Sequence, residues 1–160
     1  MQALASVIKE FMLKRGETIS VAESLTSGYL QAHMSAVAGS SKYFAGGITV
    51  YNIDMKVKFL NVDRANAEIC DCVSEQTAIE MAKGVVDLFD TDYGVATTGY
   101  VDKENSKGMA HAYFAIYSRR DRKLHSFFMS CNHLEERTAI QAYFARLATE
   151  KLVKFLTVDL

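Results

Sequence analysis

Proline is absent from this 160-residue chain, so every motif that closes on a proline is missing from it. Cysteine is scarce: Cys70, Cys72 and Cys131 form an odd, sparse set. Such a set argues against a disulfide framework and for a reducing compartment, which makes a cytoplasmic location the expectation. Cys70 and Cys72 make a C-x-C pair, but no second pair with zinc-like spacing follows. His33, His111, His125 and His133 are scattered, so no metal site is expected. An excess of charge is lacking too, with 18 Lys+Arg against 19 Asp+Glu and a net charge of −1. Neither nucleic acid nor an anionic membrane is therefore expected as a partner, and basic residues are not interleaved with aromatics in a patch. No apolar run approaches the roughly 20 residues that span a bilayer. The N-terminus lacks the basic region and uninterrupted apolar core of a secretory signal. Repeats, low-complexity tracts and linkers are also missing.

What remains is a chain with 49% hydrophobic residues, enough for a sizeable core in a single domain over residues 1–160. Leu4, Val7, Ile8, Phe11 and Met12 share one face, which predicts a helix over 2–15 that Gly16 stops. A buried strand is expected over 18–22 and a helix over 25–36, then a loop at Gly39-Ser40-Ser41. Residues 48–51 read as a strand after Gly46-Gly47, and 53–60 as a short helix. Val73-Ser74-Glu75-Gln76 opens the clearest helix, with Ser74 as its cap and Ala78, Met81, Ala82, Val85 and Phe89 as its stripe. Tyr93 to Thr97 reads as a buried strand ending at Thr98-Gly99. Strands over 109–118 and 123–131, around a charged turn at 119–122, predict an antiparallel hairpin. A long helix over 134–157 closes the series. The alternation predicts an α/β fold, a three-layer-like domain with a mixed β-sheet covered by helices. Strand order does not follow from it.

Val21-Ala22-Glu23-Ser24-Leu25-Thr26-Ser27-Gly28 runs from an apolar strand through a serine into the expected second helix. Such a turn can hold a nucleophilic hydroxyl at the positive end of a helix. An ordinary N-cap uses the same residue types. Tyr51 ends a predicted strand, and Lys56 follows five residues later. Ser24, Tyr51 and Thr98-Gly99 all fall at or after strand ends, where ligands of such sheets usually sit. Ser, Tyr and Lys form a plausible acyl-transfer set if the lysine is neutral enough to take the serine proton. Burial and a nearby cation such as Lys58 would favour that form. A tyrosine hydroxyl can relay the proton or hold the lysine. The plainer reading makes Tyr51 a strand-end aromatic and Lys56 a solvated helix residue.

In the order and spacing of its motifs, essentially the whole chain resembles the C-terminal domain of the competence/damage-inducible CinA proteins, the nicotinamide mononucleotide deamidase family. That family's A-E-S-C-T-G-G appears as Ala22-Glu23-Ser24-Leu25-Thr26-Ser27-Gly28. Its G-S-S-x-x-F appears as Gly39-Ser40-Ser41-Lys42-Tyr43-Phe44. Its G-x-V-x-Y-S-N-x-x-K aligns with Gly47 through Tyr51 to Lys56, and its V-S-E and M-A-x-G with Val73-Ser74-Glu75 and Met81-Ala82-Lys83-Gly84. Thr98-Gly99 matches the start of its T-G-I-A-G-P loop, and Arg137 the arginine that opens its last helix. The resemblance implies a stand-alone amidohydrolase that releases ammonia from a nicotinamide carboxamide. Ser24 is then the nucleophile, Lys56 the general base and Tyr51 its partner in proton transfer. Backbone N–H groups after Ser24 supply an oxyanion site. Thr26, Gly28, Ser41, Thr98, Gly99 and Arg137 are the implied substrate-binding residues. No cofactor or metal is required, because the lysine does the base work. The family also implies a homo-oligomer.

Four departures stand against this pattern. Leu25 replaces a cysteine, Ser27 a glycine, and Asn52-Ile53 a Ser-Asn pair. The glycine-rich loop is replaced by Thr98-Gly99-Tyr100-Val101-Asp102-Lys103-Glu104-Asn105-Ser106-Lys107-Gly108. Side chains there obstruct the close backbone approach that binds a phosphate. Asp102 and Glu104 repel it, partly offset by Lys103 and Lys107. Two classes of function follow: an amidohydrolase on a nucleotide or altered amide substrate, and a catalytically degenerate homologue acting as a ligand-binding or assembly module.

Overall fold

The computed structural model describes residues 1–102 and 108–158. Its elements run α1 Gln2–Arg15, β1 Ile19–Glu23, α2 Tyr29–Met34, a 3₁₀ turn Ser40–Lys42, β2 Phe44–Thr49, α3 Ile53–Leu60 and α4 Arg64–Ile69. There follow α5 Glu75–Phe89, β3 Tyr93–Tyr100, β4 Ala110–Ser118, β5 Lys123–Cys131 and α6 Arg137–Thr157. The expected charges of Lys103, Glu104 and Lys107 lie outside the described residues.

The sheet order is β2-β1-β3-β4-β5. β1 pairs parallel with both β2 and β3, whereas β3–β4 and β4–β5 are antiparallel. This is the expected mixed sheet, with the hairpin at its far edge. The chain leaves β1 for β2 on one side and returns past β1 to reach β3 on the other. The C-terminal ends of these three strands therefore meet at the point where the strand order reverses, the usual ligand crevice of open α/β sheets.

Helices cover both faces. One face carries Ile19, Val21, Val95, Phe114 and Ile116, packed against Ile8 and Met12 of α1 and Phe144, Ala148 and Leu152 of α6. The other face is built from small residues. Ala22, Ala96 and Ala115 pack against Ala78, Met81, Ala82 and Val85 of α5. A Cβ on Gly94 would sit 2.0 Å from the Ala82 carbonyl oxygen, so α5 lies almost on the strand backbone. Gly84 repeats this on the outer side of α5, where a Cβ would meet the Leu60 oxygen at 2.1 Å. That close approach seats α3, the helix that carries Lys56.

Among the boundaries that differ from the sequence reading, which include a last helix that begins at Arg137 and not at 134, three bear on the site. The helix expected over 25–36 begins only at Tyr29, because Ser27 (φ 47°) and Gly28 (φ 97°) take left-handed conformations that break a helical run. The strand expected over 48–51 is Phe44–Thr49, so Tyr51 lies beyond its end. Gly46 and Gly47 are strand residues, and a Cβ there would meet Phe89 at 2.8 Å and Gln31 at 2.6 Å. The β3 strand runs on through Thr98 and Gly99 to Tyr100 instead of stopping before them. One helix was not foreseen: α4 is capped by Asp63, whose carboxylate accepts from Asn66 N–H at 2.7 Å.

Candidate active site

Ser24 follows directly on β1, its N–H donating to the Thr97 carbonyl of β3 at 3.1 Å. The residue before it fixes the turn. Glu23 is fully buried, and its carboxylate accepts from three backbone N–H groups: Gly28 at 3.0 Å, Leu30 at 3.0 Å and Gln31 at 2.8 Å. These are the orphan donors at the start of α2. The positive end of that helix is thus satisfied by Glu23, and Ser24 does not sit on it. Thr26, also fully buried, shares a 2.8 Å hydrogen bond with the Thr97 hydroxyl, which ties the turn to β3. Among the described residues, the N–H groups of Leu25 and Thr26 donate to no protein acceptor. They are the donors adjacent to the Ser24 hydroxyl in the chain.

Lys56 comes in from α3. Asn52 caps that helix by accepting from Met55 N–H at 2.9 Å, so the Asn52 that departs from the family pattern keeps a capping role. The Lys56 side chain is buried, at 2% exposure. Its amine reaches Ser24 Oγ at 3.0 Å, the Val50 carbonyl at 3.0 Å and the Tyr51 carbonyl at 3.3 Å. A neutral amine has two N–H groups and one lone pair. Two carbonyls can take the N–H groups, which leaves the lone pair for the Ser24 proton. Burial pushes the Lys56 amine below its ordinary value of 10.5, against opposing influence from Cys72 and Asp71. Lys58 does not supply the shift: it is exposed, with its amine over the Phe59 ring.

Ser24 and Lys56 line a cleft of about 340 Å³. Tyr51, Thr98, Gly99 and Arg137 line it as well, so the parallel strands bring these sequence-identified positions together. Tyr51 is 54% exposed. Its carbonyl touches Lys56, whereas its hydroxyl accepts from Arg137 Nη2 at 2.7 Å. The Thr98 hydroxyl donates to the Cys72 carbonyl at 2.6 Å. Gly28 and Thr26 stand behind the serine turn, and Ser41 is exposed on the 3₁₀ turn; none of the three lines the cleft.

Asp71, Cys72 and Tyr100 escaped the sequence reading as cleft residues, whereas Asp102 is expected there as a charge opposed to phosphate. Asp71 (φ 49°) and Cys72 (φ 59°) turn the chain sharply into the cleft through two left-handed residues. Burial pushes the Cys72 thiol up, which keeps it protonated and a poor nucleophile. Tyr100 donates its hydroxyl to Asp71 at 2.7 Å, and burial with that bond pushes its phenol up to about 12. Asp102 Oδ1 accepts from Arg137 Nη1 at 2.6 Å. The local signal was present in the Cys70-x-Cys72 pair, but only the fold relates it to Lys56. Among the described residues, no group of three or more His, Cys, Asp or Glu side chains is placed to hold a metal ion. No helix among them is long and apolar enough to cross a membrane.

Residues 1–156 match the family profile described as the CinA C-terminal domain. A CinA-like protein of Synechocystis sp. is 37% identical over 149 residues, covering 82% of this chain and 36% of that protein. A CinA-like protein of Rippkaea orientalis is 34% identical over 160 residues, covering 88% and 38% respectively. The chain thus spans 36% and 38% of the length of these two relatives. The crystal structure of the competence/damage inducible protein CihA from Agrobacterium tumefaciens superposes with a TM-score of 0.86 at 28% identity, covering 95% of this chain and 93% of that one. A CinA superfamily protein from Klebsiella pneumoniae gives a TM-score of 0.86 at 24% identity, over 96% of both chains, which is a likeness of fold.

Proposed function

Because the chain belongs to the CinA C-terminal domain family, we propose that it is a serine amidohydrolase acting on the carboxamide of a nicotinamide nucleotide or a related amide. One observation carries this reading: a buried lysine amine 3.0 Å from a serine hydroxyl, with its other neighbours two backbone carbonyls.

The reaction follows from that geometry. Neutral Lys56 takes the Ser24 proton as Oγ attacks the carboxamide carbon. The carbonyl oxygen gains the negative charge, and the Leu25 and Thr26 N–H groups are the donors nearest in the chain to receive it. The Lys56 ammonium returns the proton to the departing nitrogen, and ammonia leaves. An ester to Ser24 remains. Water then attacks that ester with Lys56 again taking a proton, and the acid and free Ser24 are released. Tyr51 holds Lys56 through its carbonyl, and through its hydroxyl it meets Arg137 at the cleft mouth.

The test is ammonia release from nicotinamide mononucleotide and from simple pyridine carboxamides, in the presence of a chelator. Turnover that disappears in Ser24→Ala supports the reading; equal ammonia release by that variant contradicts it. A non-catalytic binding module is favoured by a different observation, that residues 98–100 form a strand where the family has a glycine-rich loop. It predicts saturable ligand binding without ammonia release.

A further inference from the structure

We propose that this cleft selects an amide that carries a positive ring and no phosphate, a pyridinium nucleoside in preference to its nucleotide. The inference rests on the amidohydrolase reading and names the substrate class of that same site.

Charge is the first support. Asp71 and Asp102 both line the cleft. Among the described lining residues the cations are Lys56 and Arg137, and Lys56 is neutral in the form that takes the serine proton. These described side chains then carry one net negative charge, which repels a phosphate and attracts a cationic ring. Arg137 is also engaged: Nη1 donates to Asp102 at 2.6 Å and Nη2 to the Tyr51 hydroxyl at 2.7 Å. A phosphate must displace Asp102 or share the guanidinium with it, whereas a ligand without phosphate leaves the pair intact.

The backbone is the second support. A phosphate cradle needs N–H groups turned toward the ligand from a glycine-rich turn. Here Thr98, Gly99 and Tyr100 pair with Tyr113, Ala112 and His111 of β4. A Cβ on Gly99 would lie 2.2 Å from the His111 oxygen, so this glycine serves the close packing of two strands.

The lining aromatics are the third. Tyr51 and Tyr100 both face the cleft, and Tyr100 holds Asp71 beside it. Aromatic faces beside carboxylates suit a delocalised cation.

The experiment compares ammonia release from nicotinamide mononucleotide and nicotinamide riboside, which share the carboxamide and the pyridinium and differ in the phosphate. The wild-type protein is expected to favour the riboside in kcat/KM by about tenfold. Asp102→Asn releases Arg137 and removes one negative charge; it is expected to shift the kcat/KM ratio about fivefold toward the mononucleotide. A wild-type preference for the mononucleotide, or an unchanged ratio in Asp102→Asn, overturns the inference while leaving the amidohydrolase reading intact. If neither compound is turned over, neither is a substrate, and the pyridine carboxamides decide the amidohydrolase reading. The selectivity is then decided by calorimetric binding of both compounds to the wild-type protein and to Ser24→Ala. Tighter riboside binding sustains it; equal or tighter mononucleotide binding, or no binding of either, overturns it.

Discussion

Lys56 meets Ser24 at 3.0 Å across 32 residues of sequence, with two backbone carbonyls as the other neighbours of its amine. The contact joins the end of β1 to the middle of α3, and it has a pH signature. Because burial lowers the Lys56 amine from 10.5, the neutral base becomes available at lower pH than for a free lysine. The value of kcat/KM should therefore rise with pH by one proton and level off before 10.5. Lys56→Met should remove this limb and lower the rate by about 10²–10⁴-fold.

The same shift has a consequence for stability. In the window between the folded Lys56 value and 10.5, the unfolded chain holds the proton and the folded chain does not. Stability contributed by this group therefore increases as pH rises through that window. Urea midpoints of the wild type should climb relative to those of Lys56→Met across it; parallel midpoints would show that burial does not shift the group.

Glu23 organises the serine turn. Glu23→Gln keeps the shape but removes the charge and turns an amide donor toward backbone N–H groups. Losing charge-assisted bonds of this kind costs about 2–3 kcal/mol, or a drop of roughly 4–12 °C in Tm for a chain of this size. The amidase rate should fall as well, since residues 24–28 hang on that carboxylate.

Gly84 offers a test from outside the cleft. An added methyl group must push α3 away from α5, because the obstruction is the Leu60 backbone. Gly84→Ala is expected to destabilise by about 1–3 kcal/mol and to lower kcat more than it raises KM, since it moves the helix bearing Lys56. Unchanged thermal unfolding would refute this account of the α3 seat.

His33 sets an acid limit. Burial pushes its imidazole below 6.5. Thr149 gives its hydroxyl proton to the Ala145 carbonyl at 2.8 Å, so the 2.9 Å contact makes His33 Nδ1–H the donor. As pH falls from 6.5 to the lower folded value, the unfolded chain takes up a proton that the folded chain does not, and stability is lost. Unfolding midpoints at about pH 7.5 and about pH 5 should separate less in His33→Gln than in the wild type.

Much of this architecture was legible from residue patterns. The Val73-Ser74-Glu75 cap and its apolar stripe located α5, and the charged turn at 119–122 located the β4–β5 hairpin. The motif order picked out Ser24, Tyr51, Lys56, Thr98, Gly99 and Arg137, all of which line one cleft. Tertiary contacts decided what local pattern did not. Nothing in residues 25–28 announces that Glu23 reaches back over α2 and holds the helix start at Tyr29. Gly46 and Gly47 read as a break before a strand, yet Phe89 and Gln31 require them inside it. Asp71 and Tyr100 join the cleft through a left-handed turn and a strand extension, and neither has a periodic signature.

The central claim, that buried Lys56 activates Ser24, is tested most directly by a reaction that needs no knowledge of the substrate. A fluorophosphonate phosphonylates an activated serine hydroxyl with loss of fluoride, and intact-mass and peptide analysis locate the adduct. The account predicts a single adduct on Ser24, formed faster as pH rises and lost in Lys56→Met. Labelling elsewhere, or labelling of Ser24 at the same rate in Lys56→Met, would contradict it.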